Sequence, residues 1–217
     1  MTGPLRSERL VVAGPAGGLE ALLEEPAGHA GARFGVVCHP HPLHGGTLDN
    51  KVAHTLARSL HALGVPTVRF NFRGVGASAG GFAEGIGETD DALAVVQFGR
   101  RRWPAARPWL LGFSFGAIVA IRAAGEVQPE RVVAVAPAIG RIALAAVRPT
   151  CPWLIVQGDA DDIVEPRRVL EWAAHLQPQP AVAVLNGAGH FFHGRLGELR
   201  EAVIAFASGE AQEQKPG

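Results

Sequence analysis

The sequence predicts an α/β protein, a mostly parallel sheet with helices on both faces. Three observations carry that expectation. Six short apolar runs recur with little polar alternation, as strands covered on both sides require. Segments of helical period lie among them, so the order is strand, helix, strand, helix. The chain has 217 residues, 47% hydrophobic and 18% charged, enough for one sizeable globular core.

The elements follow in order. Arg9–Ala13 and Leu19–Leu23 flank Gly14-Pro15-Ala16-Gly17-Gly18, which reads as a hairpin. The six strand candidates are Arg33–Cys38, Thr67–Phe72, Trp109–Gly112, Arg131–Ala136, Trp153–Gln157 and Ala181–Leu185. The helix candidates are Lys51–Leu63, Thr89–Arg102, Phe115–Ala124, Arg167–His175 and Leu196–Ala207. Asp49 or Asn50, Glu88 to Asp91 and Pro166 supply capping or acidic residues at helix starts. From Ala136 to Trp153 only roughly 15 residues intervene, too few for a lid domain. No repeat or linker divides the chain, so residues 1–208 read as a single domain and 209–217 as a polar, frayed tail.

Several function classes are disfavoured by composition. Lys plus Arg balance Asp plus Glu at 20 each, which gives no footprint for nucleic acid or an acidic membrane. The longest uncharged apolar stretch, Pro108 to Ile121, holds about 14 residues, short of a bilayer span. MTGPLRSERLVVAGP lacks the basic and apolar regions of a secretory signal. Two cysteines, Cys38 and Cys151, form no disulfide framework and suit a reducing cytosol. The expectation is a cytoplasmic protein, monomer or small oligomer, a homodimer included.

Function in such sheets concentrates in the loops beyond the carboxyl ends of the strands. Gly112-Phe113-Ser114-Phe115-Gly116 matches the G-x-S-x-G turn, whose glycines permit a sharp strand-to-helix reversal that presents the serine. Ser114 needs a base, because a hydroxyl is a poor nucleophile until its proton is accepted. His190, in Asn186-Gly187-Ala188-Gly189-His190, is the best placed of nine histidines, and His193 is its local rival. An imidazole in that role needs a carboxylate to fix its tautomer. Gly158-Asp159-Ala160-Asp161-Asp162 offers three, taken in the order Asp161, Asp159, Asp162; the others suit the turn and the helix start that follows. A developing oxyanion needs two backbone donors. Phe115 supplies one, and in His39-Pro40-His41-Pro42-Leu43 the early N–H groups are those of His41 and Leu43, with His41 preferred.

Taken together, FRGVGAS, GFSFG, GDADDIV and GAGH resemble the α/β-hydrolase superfamily over nearly the whole chain. The fuller pattern HPHPLHGGTLDNKV, RFNFRGVGAS, GFSFGA and GHFFHGRLGEL is similar to a small bacterial branch without a lid, relatives of dienelactone hydrolase and serine aminopeptidase. One departure is HPHP, where the oxyanion loop more usually opens His-Gly. The resemblance implies eight strands in the order 1-2-4-3-5-6-7-8 with the second antiparallel. It also implies a serine hydrolase acting on a small ester-type molecule, with thioesters or small amides as neighbouring substrates and no cofactor. Acyl transfer to another acceptor, and a non-catalytic binding protein that retained the fold, are the alternatives.

Other features read as structural. Gly74-Val75-Gly76-Ala77-Ser78-Ala79-Gly80 misses the dinucleotide spacing by one residue, so Arg73 and Ser78 are expected to brace that loop. Cys38, His39, His41 and His44 could suggest a metal, but loop or pocket histidines are the simpler reading. Phe191 and Phe192 are candidates for the acyl pocket or the core, Trp153 and Trp172 for the core, and Arg100 to Arg102 for a solvated helix end.

Overall fold

In the computed structural model the described residues are 4–29, 31–140 and 149–209. The eight strands are β1 (Leu5–Gly14), β2 (Gly17–Pro26), β3 (Arg33–Cys38), β4 (Thr67–Phe70), β5 (Arg107–Phe113), β6 (Arg131–Val135), β7 (Trp153–Gly158) and β8 (Ala181–Leu185). The helices are α1 (Lys51–His61), α2 (Ile86–Arg102), α3 (Phe115–Val127), α4 (Pro166–Ala174) and α5 (Leu196–Ser208). The strands form one sheet in the order β1-β2-β4-β3-β5-β6-β7-β8. β2 runs antiparallel to both β1 and β4, and the pairs from β4 through β3 to β8 are parallel. That is the eight-stranded α/β-hydrolase architecture with the implied strand order, and no lid domain is present among the described residues.

Alternate residues of each central strand feed two cores. Phe34 and Val36 of β3 join α2, α3 and α4 on one face, while Val37 joins α1 and α5 on the other. The central strands are buried on both sides, which is why they read as continuous apolar runs. β8 departs from that expectation. It is an edge strand, and Val182 and Val184 are exposed.

Boundaries moved where a polar contact decided them. The hairpin pairs from Leu5↔Pro26 to Gly14↔Gly17, longer than the apolar alternation indicated. β4 ends at Phe70 because Asn71 turns to other work: its Oδ1 accepts from Leu48 N–H at 2.7 Å and its Nδ2 donates to Glu20 at 2.8 Å. α2 starts three residues before Thr89, because buried Glu88 reaches back to accept the Gly85 N–H at 2.7 Å. Asn50, not Asp49, caps α1, accepting from Val52 and Ala53. Within the described residues, no helix is long and apolar enough to cross a membrane. The tail from 210 and the middle of the β6–β7 connection, 141–148, lie outside the described residues.

Candidate active site

The strand β5 ends at Phe113 and α3 begins at Phe115, which leaves Ser114 alone to turn the chain. It does so at φ 55, ψ −113, a conformation that L side chains rarely adopt. The surroundings hold it there. Ser114 N–H donates to the Val135 carbonyl of β6 at 2.8 Å, and its carbonyl accepts from Ala117 at 3.1 Å and Ala138 at 3.3 Å. A Cβ on Gly116 would strike the carbonyls of Cys38 and His39, so the glycine lets α3 press against the end of β3.

His190 arrives from the loop after β8, and its ring lies against Phe113 at 4.9 Å and Phe191 at 5.2 Å between centroids. Its Nδ1 is 2.8 Å from Asp161 Oδ2 and its Nε2 is 3.1 Å from Ser114 Oγ. An ionised carboxylate only accepts, so Nδ1 carries the proton and Nε2 is left to accept from the serine hydroxyl. All three side chains are at most 8% exposed. Asp161 Oδ1 also accepts the N–H groups of Ile163 at 2.9 Å and Val164 at 2.8 Å. Burial pushes the Asp161 carboxyl up, but the hydrogen bonds from His190, Val164 and Ile163 outweigh it and hold the group below its ordinary range.

The other two aspartates of the loop are exposed. Asp159 Oδ1 accepts from Gly187 N–H at 2.6 Å, tying the β7 loop to the loop that carries His190. A Cβ on Gly158 would meet the Ala188 carbonyl, so the two loops pack backbone against backbone. His193 does not line the site cavity, although its ring is 5.9 Å from that of Phe191.

Ser114 opens on a cavity of about 390 Å³. Pro40, His41, His44 and Asn50 line one side, and Ala138, Ile163, Val164 and Phe191 another. Phe115 and His41 both border it, with rings 5.0 Å apart. As the first residue of α3, Phe115 has no carbonyl within the helix for its N–H. Of the two early donors in the β3 loop, Leu43 is engaged locally: its N–H donates to His41 Nδ1 at 3.2 Å and its side chain is 66% exposed. Pro40 and Pro42 have no N–H to offer. His41 lines the cavity and Leu43 does not.

The remaining candidates sort by burial. Phe191 borders the cavity, and Phe192 is wholly buried in the core. Trp153 is in the core, with Trp172 edge-on at 5.9 Å. Arg73 chelates Asp91 through Nε at 3.0 Å and Nη2 at 2.7 Å, and Ser78 bridges the Asn71 carbonyl and the Glu20 N–H. Arg100 donates to the Val127 carbonyl and Arg102 pairs with Glu25. Buried His39 spends both ring nitrogens, Nε2 accepting from Phe72 N–H at 3.0 Å and Nδ1–H donating to the Pro40 carbonyl at 2.7 Å. Burial also pushes the Cys38 thiol up. Among the described residues, no three His, Cys, Asp or Glu side chains are placed to hold a metal.

Sequence reading passed over Gln157, which contacts Asp161, and the pocket roles of Asn50 and Ala138, whereas His44 lines the cavity as a pocket histidine. Gln157 carried one usable signal, a polar residue at the end of the apolar run Trp153–Val156.

Residues 41–149 match the family described as serine aminopeptidase, S33. The chain is 35% identical over 203 residues to an uncharacterized protein of Rickettsia prowazekii, covering 88% of this chain and 84% of that one. It superposes on an α/β serine hydrolase without a lid from Xanthomonas campestris with TM-score 0.90, 40% identity and 98% of each chain covered. A serine hydrolase homologue from Coxiella burnetii gives TM-score 0.88 and 43% identity, covering 91% of this chain and 95% of that one. With this agreement of sequence and fold, the chain belongs to the α/β-hydrolase superfamily, as a lidless serine hydrolase of the serine aminopeptidase family.

Proposed function

We propose that the protein hydrolyses small, uncharged carboxylic esters through an acyl-enzyme on Ser114. The observation that supports it most is the unbroken series of contacts from Asp161 through His190 to Ser114, at 2.8 and 3.1 Å, at the mouth of the cavity. Ser114 Oγ attacks the ester carbonyl carbon while His190 Nε2 takes its proton. The N–H groups of Phe115 and His41 hold the tetrahedral oxyanion. Collapse expels the alcohol, which leaves with the proton from His190, and the acyl group stays on Ser114. Water, deprotonated by His190, then releases the acid. Asp161 keeps the imidazole in the required tautomer and stabilises the imidazolium.

The family description raises a second reading, removal of an amino-terminal residue from a peptide. That substrate brings an ammonium group, which calls for a carboxylate in the pocket. Among the described residues, no Asp or Glu lines the cavity. This favours the ester.

The test combines fluorophosphonate labelling with a substrate panel. Wild type should be labelled at Ser114, hydrolyse p-nitrophenyl esters and leave aminoacyl p-nitroanilides largely intact. Faster turnover of the anilides would replace the ester reading with the peptidase one. Absence of labelling in folded protein would reject both and favour a binding protein.

A further inference from the structure

Gln157 is the last side chain of β7 before Gly158, and the strand's alternation points it into the α2–α3–α4 core with Trp153 and Ile155. It is fully buried. An aliphatic residue would fill that position without any polar group to satisfy, so an amide there requires a reason. Its Nε2 donates to Asp161 Oδ2 at 3.1 Å and to the Gly158 carbonyl at 3.2 Å, with the Val164 carbonyl at 3.5 Å. Among the described residues its Oε1 is buried and meets no protein donor. The reverse orientation would set that oxygen against a carboxylate and two carbonyls, so the amide is fixed with its donor side toward Asp161.

We propose that Gln157 is a positioning residue that acts through Asp161. Resting on the function proposed above, it locks the carboxylate in the plane from which Oδ2 accepts the hydrogen bond of His190 Nδ1–H. The geometry divides the work. Ile163 and Val164 hold Oδ1 from the loop, whereas Gln157 and His190 share Oδ2, the oxygen that faces the imidazole. Without Gln157, no strand side chain among the described residues reaches Oδ2, and the carboxylate is held only by its own loop and by the His190 that it must orient.

Two variants and a substrate-independent readout test this. Gln157→Leu removes the donor and the stranded acceptor together. Its melting temperature should be no lower than wild type, while kcat falls about 10- to 100-fold with KM little changed. Lower stability with unchanged kcat would make Gln157 a structural residue and overturn the proposal. Gln157→Glu supplies a donor only while its carboxyl is protonated, and once ionised it repels Asp161. The ratio of its kcat to wild type should therefore fall as pH rises, and a flat ratio would count against the proposal. The downfield proton resonance of the His190–Asp161 hydrogen bond should exchange faster with solvent in Gln157→Leu. Unchanged exchange would overturn the positioning role even if no ester proved to be a substrate. Failure of wild type to label at Ser114 would instead remove the functional reading on its own.

Discussion

Gly112 and Gly116 face each other across the turn at Ser114: a Cβ on Gly112 would run into the Gly116 carbonyl and the Ala117 nitrogen. Neither obstacle is a side chain that could swing away. Gly112→Ala is expected to lose about 2–4 kcal/mol, or to fail to accumulate as soluble protein. Gly197→Ala is the control. That glycine is in the first turn of α5 with open space around it, and alanine there should raise stability by about 0.5 kcal/mol. Urea unfolding of both variants decides it, and equal effects would contradict the packing described.

The three aspartates of the β7 loop make separable contacts. Asp161→Asn should lower kcat by about 10⁴-fold with the fold intact, because an amide cannot hold His190 in the required tautomer. Asp162→Asn should be near neutral. Asp159→Ala loses the bond to Gly187 and should cost a few-fold through a looser His190 loop. A dead Asp159 or Asp162 variant beside an active Asp161 variant would move the acid elsewhere.

The residues that the sequence made legible are those whose local pattern carries their role. β3 and β8 begin and end at the residues their apolar runs indicated, and Ser114 is marked by glycines its own turn requires. The structure brings Ser114, Asp161 and His190 within hydrogen-bond reach, although they come from three loops far apart in the chain. What stayed hidden depends on contacts across the sheet. Glu88 fixes the start of α2 by reaching backwards, and His39 ties β3 to β4. Gln157 looks like a break in an apolar strand until Asp161 is placed above it. No spacing rule encodes such pairs.

Acid sensitivity follows from buried imidazoles. Burial is the largest cause pushing both His39 and His61 from 6.5 down to about 4. Both stay neutral in the folded chain at pH values where the unfolded chain already binds protons. Their contribution is therefore complete above about pH 6.5 and is lost as pH falls toward about 4, on the order of 3 kcal/mol for His39 alone. Unfolding free energy measured at pH 7.5, 5.5 and 4.5 should decline over that window. His39→Gln, which still offers an oxygen to the Phe72 N–H, should flatten the decline. An identical slope would absolve His39.

Cavity size bears on the acyl group. If the ester reading holds, about 390 Å³ and an apolar side of Ala138, Ile163, Val164 and Phe191 lead us to expect a preference for short to medium acyl chains. A p-nitrophenyl ester series should peak there and fall sharply at palmitate. Rising activity out to palmitate would require cover from outside the cavity described.

The backbone at Ser114 carries one more consequence. At φ 55 and ψ −113 a glycine would rest easily, so Ser114→Gly should melt higher than wild type, by about 1 kcal/mol in unfolding free energy, while losing turnover. Selection for stability alone would thus drift this position toward glycine. A serine in that conformation costs the fold stability that a glycine would not, and a site built to present a hydroxyl is where such a cost is expected.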